Sequence, residues 1–386
     1  MLTRAKGLKG ELIRLRRAIH RHPELGFREV KTAALIAGTL ESLGIKVQTG
    51  VAKTGVLGYL GEGGPVVAIR ADMDALPIQE LNEVPYRSQV PGVMHACGHD
   101  AHVATALGAA MLLKEMEVEG EVRFLFQPSE ERVDEEGKSG AMRMVEEGAM
   151  KGVEAILALH VDSETESGMV KTSPGPMSAG DDSFVATIMG RGCHGAYPHR
   201  GVDPIFIGGE VILAIQGIVS RRIDPVKQAV ISIGSIHGGT ADNVIPQEVE
   251  LTGTMRSFEQ GVREQLRTEL EKAFQIARAL GGDFRLDIEE GYPVMVNEEK
   301  ISQLIREVAI DLLGEEKVLP DEPAMGAEDF GYFLARAPGA LFRLGVKKGE
   351  IRPGHNPHFD LDEEALPIGA AILAESARRY LASAFN

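Results

Sequence analysis

Pro65-Val66-Val67-Ala68-Ile69-Arg70-Ala71-Asp72-Met73-Asp74 is the stretch that decides the architecture. Its apolar run from Pro65 to Ile69 suits a strand covered on both faces of a sheet, and it delivers two carboxylates just where it stops. The pattern recurs. Val122-Arg123-Phe124-Leu125-Phe126 leads into Gln127-Pro128-Ser129-Glu130-Glu131, and Ala155-Ile156-Leu157-Ala158-Leu159 runs into His160. Ala340-Leu341-Phe342-Arg343-Leu344 precedes a polar loop carrying Gly354-His355-Asn356-Pro357-His358. In an open α/β sheet, ligands bind at the carboxyl ends of the strands. Acids and imidazoles that gather at the ends of separate strands therefore predict a doubly wound α/β domain with one functional edge.

Met94-His95-Ala96-Cys97-Gly98-His99-Asp100-Ala101-His102 supplies the chemistry for that edge. Cys97 and His99 flank a glycine, so one turn can aim both at a point, and the helical run that follows (Val103, Ala106, Leu107, Ala110) places a helix start beside them. A helix start favours thiolate over thiol, and thiolate with imidazole suits zinc or a neighbouring transition metal. Taken alone, the stretch also fits a helix N-terminus with a buried cysteine and surface histidines. Glu130 and Glu131, adjacent and hence divergent, suit a base and a metal ligand; the charge that continues through Glu136 also allows a solvated acidic loop. With Cys97, His99, Glu131 and His355, His160 makes a fifth donor. Five donors exceed a structural zinc site and predict two cations, with Cys97 as a bridging thiolate. Asp72 and Asp74 either orient ligands from behind or cap the following loop.

At 386 residues, two or three domains are expected. Forty-one Lys and Arg against 57 Asp and Glu give a net charge of −16, a field that repels nucleic acid. No apolar run reads as membrane-spanning, the basic amphipathic N-terminus does not read as a secretory signal, and two cysteines make no disulfide scaffold, so a cytoplasmic protein is expected. Helical spacing marks residues 8–22 and 29–43. From 183 to 290 the order is strand, helix (204–222), strand (228–236), strand (247–256), helix (259–280), strand (284–289). That βαββαβ order is ferredoxin-like. Turn-forming residues flank it, which predicts a domain of residues 178–290 inserted into one made of residues 1–177 and 291–386, joined by two short hinges that permit closure.

In this order, HACGHDAH, FQPSEE, the Leu-His at 159–160, GCHGAYPH, NVIP, GTMR, MGAEDF and HNPHFDLDE resemble the metallopeptidase-type amidohydrolases, which include hippurate hydrolases, indole-acetyl-amino-acid hydrolases, aminoacylases and related carboxypeptidases. The resemblance covers nearly the whole chain. It implies hydrolysis of the amide bond of an N-acyl amino acid or short peptide. It also implies two divalent cations per subunit, zinc ahead of manganese or cobalt, an inserted lid or dimerisation domain, and a homodimer or higher homo-oligomer. By match to the family pattern, Cys97, His99, Glu131, His160 and His355 are the metal ligands and Glu130 the general base, with His358 the alternative to His355. The wider superfamily carries His-x-Asp where this chain has Asp72-Met73-Asp74, so Asp72 does not inherit a ligand role. His194 resembles the histidine that reaches across a dimer to the reacting carbonyl, while Asn243 and Arg256 resemble residues that grip the substrate, Arg256 by its α-carboxylate. Glu328 and Asp329 are further pocket candidates, and Cys193 reads as a small buried residue. The rival readings are a carboxypeptidase or dipeptidase, a non-catalytic zinc-stabilised binding protein, and a thiol enzyme using Cys97.

Overall fold

The computed structural model describes residues 1–384. The chain divides into two units. One comprises Met1–Gly175, Val296–Glu322 and the residues from Asp329 on, and the other Pro176–Met295 with Pro323–Glu328.

The first unit is built on a mixed eight-stranded sheet. In chain order its strands are β1 (Lys46–Val51), β2 (Gly55–Gly61), β3 (Val66–Asp72), β4 (Glu121–Gln127), β5 (Ala155–Glu166) and β6 (Val170–Lys171), completed below by β13 (Val318–Leu319) and β14 (Gly339–Lys347). They lie in the order β1-β2-β4-β3-β5-β14-β6-β13. The central β4, β3, β5 and β14 run parallel, so their carboxyl ends share one edge. From β3 the chain goes to one side to form β4 and to the other to form β5, which makes the end of β3 a topological switch point. Buried residues follow one another without alternation along these strands, the signature of a sheet covered on both faces.

Helices α1 (Lys9–Arg21), α2 (Val30–Ser42), α3 (His99–Lys114) and, near the end of the chain, α7 (Leu366–Ala384) belong to this unit. Their Leu12, Leu15, Ile19, Leu107, Ala110 and Leu373 share one core with Val67, Ile69, Leu157 and Phe342. Every residue of α3 from His99 to Leu113 except Met111 is buried. The cause is close packing: a Cβ at Gly108 would lie 2.7 Å from Leu12 and 3.0 Å from Ala370.

The second unit carries β7 (Gly180–Met189), β8 (Cys193–His194), α4 (Pro204–Arg222), β9 (Ala229–Gly238), β10 (Val244–Ile245), β11 (Glu248–Ser257), α5 (Gln260–Ala279) and β12 (Asp283–Glu290), with α6 (Glu299–Leu313) following in the first unit. Its antiparallel sheet has the order β9-β11-β7-β12, the ferredoxin-like arrangement. Ile207, Val211, Ile215 and Ile218 of α4 and Leu266, Leu270 and Phe274 of α5 bury against Phe184, Ile188 and Leu251. By length and mean hydropathy α4 is apolar enough to cross a membrane. Its place in this core accounts for the apolar face, and Asp203 caps its start by accepting from the Ile205 and Phe206 amides.

Candidate metal centre

Each donor is aimed by a local feature of the chain. Gly98 sits between Cys97 and His99 with φ 91°, and a Cβ there would lie 2.3 Å from Val161, so only glycine makes this turn. Beyond β4, Ser129 is held at φ 45° and fully buried. Its amide donates to Glu29 Oε1 at 2.9 Å, and its hydroxyl to the Arg132 carbonyl at 2.9 Å. A left-handed non-glycine residue stores strain, and here the surrounding bonds hold it directly before Glu130 and Glu131. His160 lies within β5, two residues past Ala158, the last partner of β3, rather than at the strand's own end. His355 has φ 59°, and its amide donates to the Ala96 carbonyl at 2.8 Å, tying its loop to the Cys97 turn.

Cys97, His99 and His160 form one group whose donor atoms all lie within 4.8 Å of one another, and Cys97, Glu131 and His355 form a second. The two share the sulfur. Cys97 Sγ is 3.5 Å from His160 Nε2, Glu131 Oε1 is 3.0 Å from His355 Nε2, and His99 Nε2 is 3.9 Å from Glu131 Oε1. Donors bonded at about 2.0–2.3 Å to one tetrahedral cation lie roughly 3.3–3.8 Å apart, which the Cys97–His160 distance of 3.5 Å matches. His160 Nδ1 donates to the Val161 carbonyl, which leaves Nε2 with its lone pair. His99 Nε2 is buried without a hydrogen-bond partner. Buried polar atoms rarely stay unsatisfied, and an unpaired imidazole nitrogen grouped with Cys97 and His160 marks a cation's place. Soft sulfur, imidazole and carboxylate together suit zinc and its neighbours. Glu130, also buried, joins His99 and Glu131 in a further group. His358 is exposed and lies in no such group among the described residues.

The two strand-end aspartates stand behind the donors. Asp74 takes His99 Nδ1 on its carbonyl at 3.0 Å and on Oδ1 at 3.1 Å, while its Oδ2 takes the Glu131 amide at 3.1 Å. Asp72 takes His102 Nδ1 at 2.5 Å and lies 2.7 Å from Arg70. His102 in turn accepts the Val161 amide on Nε2, which fixes β5 beside His160. His102 stands three residues beyond His99 in the first turn of the helix, a spacing that could have flagged it, yet its role had not been foreseen. Glu29 was missed with no local signal at all.

Electrostatics tell the same story. Burial opposes a charge on His99, but Asp72 and Cys97 outweigh it and raise its pKa well above the ordinary imidazole value. Burial and His102 hold His160 neutral. The pocket thus calls for positive charge. Without a cation, burial pushes the Cys97 thiol up to about 12 against the pull of His99. A thiol so placed ionises against a directly bound cation. The surface-histidine alternative is corrected, since His95, His99 and His102 are all buried.

In the second unit, His194 and Asn243 are exposed neighbours on the β8–β10 ribbon, where Val244 pairs with His194 and the Gly195 amide donates to the Asn243 carbonyl at 2.7 Å. Arg256 is half-buried and donates to the Met325 carbonyl at 2.8 Å. Cys193 is partly exposed rather than buried, because the two-stranded ribbon gives it little cover. Asp329 accepts from Gln127 and from the Ala141 amide, and so ties down the chain on either side of the Glu130 turn.

A parallel-centred sheet with a cysteine, imidazoles and paired carboxylates at its switch point defines a metal-dependent hydrolase. The chain belongs to peptidase family M20/M25/M40, whose model matches residues 68–379. It is 42% identical to thermostable carboxypeptidase 2 of Saccharolobus solfataricus over 97% of this chain and 96% of that one. It is 41% identical to the IAA-amino acid hydrolase ILR1-like 4 of Arabidopsis thaliana, over 96% and 86%. A Bacillus subtilis protein described as a dinuclear metal binding peptidase of the M20 family superposes with a TM-score of 0.86 at 36% identity, over 98% and 99%.

Replacing Asp74 by Ala removes the orientation of His99 and Glu131 together. Divalent-cation affinity is expected to fall by roughly 10- to 100-fold in competition with a chromophoric chelator; unchanged affinity would refute the role. Glu29 gives a pH test. Burial and Asp74 raise its carboxyl to about 7 from 4.5. The stability this gives the metal-free protein is complete below the unfolded value and lost as pH rises through the folded one, by about 3 kcal/mol. Denaturant unfolding of Glu29→Gln, uncharged throughout, should show no such loss relative to wild type, whereas parallel pH profiles would contradict it.

Proposed function

We propose that this chain hydrolyses the amide bond of N-acyl-L-amino acids, with acetyl, benzoyl or similar acyl groups. The site is a pair of divalent cations held by Cys97, His99, Glu131, His160 and His355. The observation that carries the reading is the pair of donor groups sharing the Cys97 sulfur, with Glu130 buried beside them. A structural site needs no second carboxylate next to its ligand. The relatives named for carboxypeptidase and IAA-amino acid hydrolase activity, and the dinuclear metal binding peptidase, support it. Sulfur with imidazole favours zinc, ahead of manganese or cobalt.

When bound, the cations supply Lewis acidity, lowering the pKa of a water and polarising the scissile carbonyl. Glu130 takes the proton from the attacking water on a carboxylate oxygen and returns it to the leaving amine. Asp74 holds His99 and Glu131 in register meanwhile. His194, contributed by a second copy of the chain, stabilises the oxyanion of the tetrahedral state, and Asn243 and Arg256 hold the substrate, Arg256 by a two-pronged grip on the free carboxylate. In this reading residues 1–177 and 291–386 are the catalytic domain and residues 178–290 the lid and dimerisation domain of a homodimer or larger homo-oligomer. A ligand thiol must stay reduced, and both cysteines are unpaired, which supports a cytoplasmic location. Cleavage of short peptides by the same steps is the second reading, favoured by the identity to the carboxypeptidase.

Glu130→Gln should lower kcat by at least about 100-fold while metal content, measured by elemental analysis, stays at the wild-type level. Near-normal turnover would overturn the mechanism. Arg256→Ala should raise KM for free-acid substrates roughly 10- to 100-fold and leave their carboxamide analogues unaffected; an unchanged preference for acid over amide would remove Arg256 from the substrate site. A metal-reconstituted screen of acetyl, benzoyl and indole-acetyl amino acids beside dipeptides separates the two readings.

A further inference from the structure

A buried charge network that includes no metal donor lies in the first unit, and its centre is Arg16 on α1. The guanidinium is fully buried. Its Nε donates to Asp100 Oδ2 at 2.8 Å, one terminal nitrogen donates to Glu363 Oε1 at 3.0 Å, and the other lies 3.8 Å from Asp360 Oδ1. One turn further along α1, His20 Nδ1 shares the same Asp100 oxygen at 2.8 Å. Tyr86 lies 4.9 Å from the guanidinium carbon and donates its hydroxyl to Asp360 at 3.0 Å.

The acids it gathers come from two segments far apart in sequence. Asp100 directly follows His99, whereas Asp360 and Glu363 close the loop that opens at His355. Backbone links run the same way: the His355 amide donates to Ala96, the Leu81 amide to Pro357, and Asn82 Nδ2 to the Phe359 carbonyl at 2.8 Å. Burying a guanidinium and its acids costs several kcal/mol per ion, and apolar residues of like volume often stabilise a fold as well. α1 is already anchored by Leu12, Leu15 and Ile19, none more than 2% exposed. What the network adds is geometry. Lysine, a point charge, cannot donate to Asp100 and Glu363 and stay beside Asp360 as the arginine fork does.

We propose that Arg16 is a positioning residue, whose planar fork sets the distance between the Cys97–His99 turn and the His355 loop so that both donor groups can use one sulfur. The inference rests on the two-cation reading above. Loss of the fork moves the His355 loop and weakens the cation held by Cys97, Glu131 and His355, and spares the one held by Cys97, His99 and His160.

The test is titration of metal-free wild type, Arg16→Lys and Leu12→Ala with Co2+ under anaerobic conditions, well below each protein's melting temperature, following the thiolate-to-cobalt absorbance. Arg16→Lys keeps the charge and so protects folding; Leu12→Ala destabilises the same helix by core loss alone. Wild type is expected to take up two ions. In Arg16→Lys the weaker ion should lose at least about tenfold in affinity with the tighter one within about threefold, while Leu12→Ala lowers the melting temperature and leaves both affinities alone. Equal binding by wild type and Arg16→Lys overturns the role of Arg16 and leaves the two-cation reading standing, as does equal weakening in Leu12→Ala. Uptake of fewer than two ions by wild type overturns the two-cation reading itself, and the inference with it.

Discussion

Asp74 is the constraint on which the rest of the centre depends. One carboxylate oxygen holds the imidazole of His99, and the other holds the backbone amide of Glu131. Through one side chain the ends of β3 and β4 and the start of α3 are brought into register. A donor belonging to a helix and a donor belonging to a loop are thereby fixed relative to the same strand. This is the usual logic of a metal site, in which groups behind the ligands set their orientation and tautomer.

The sheet makes this arrangement possible and burial makes it demanding. Parallel strands at a switch point bring their carboxyl ends together, so loops separated by tens of residues emerge side by side. Sealing acids and imidazoles there leaves His99 Nε2 without a hydrogen-bond partner, and Asp72 and Cys97 raise the pKa of His99 against its burial. Protons can answer part of that charge in the bare chain. Cations answer it fully, since they satisfy lone pairs that no protein donor reaches. The strained Ser129 turn and the positive φ of His355 are tolerated because the same region is over-determined by buried hydrogen bonds.

Much of the architecture was legible because it rests on local pattern. The helix expected at 204–222 has those bounds, and the ferredoxin-like order followed from the succession of strand and helix runs. β1 escaped notice because it is largely exposed and polar, and β2 because Gly55, Gly58 and Gly61 interrupt the apolar signal; Gly58 lets Leu40 of α2 approach the strand closely. The candidate donors stood out by residue type, and the structure brings them into two groups that share the Cys97 sulfur. Their supports did not stand out. Glu29 reaches Ser129 across 100 residues and Arg16 reaches Glu363 across 347, and no periodicity encodes such pairs.

The central claim is that two cations share the Cys97 sulfur. Anomalous diffraction from crystals equilibrated with zinc, collected on both sides of the zinc absorption edge, tests it most directly. The account predicts two peaks about 3.5–4 Å apart, one bonded to His99 and His160, the other to Glu131 and His355, and both to Cys97. A single peak with all its protein ligands on one ion, or peaks away from these residues, would contradict it.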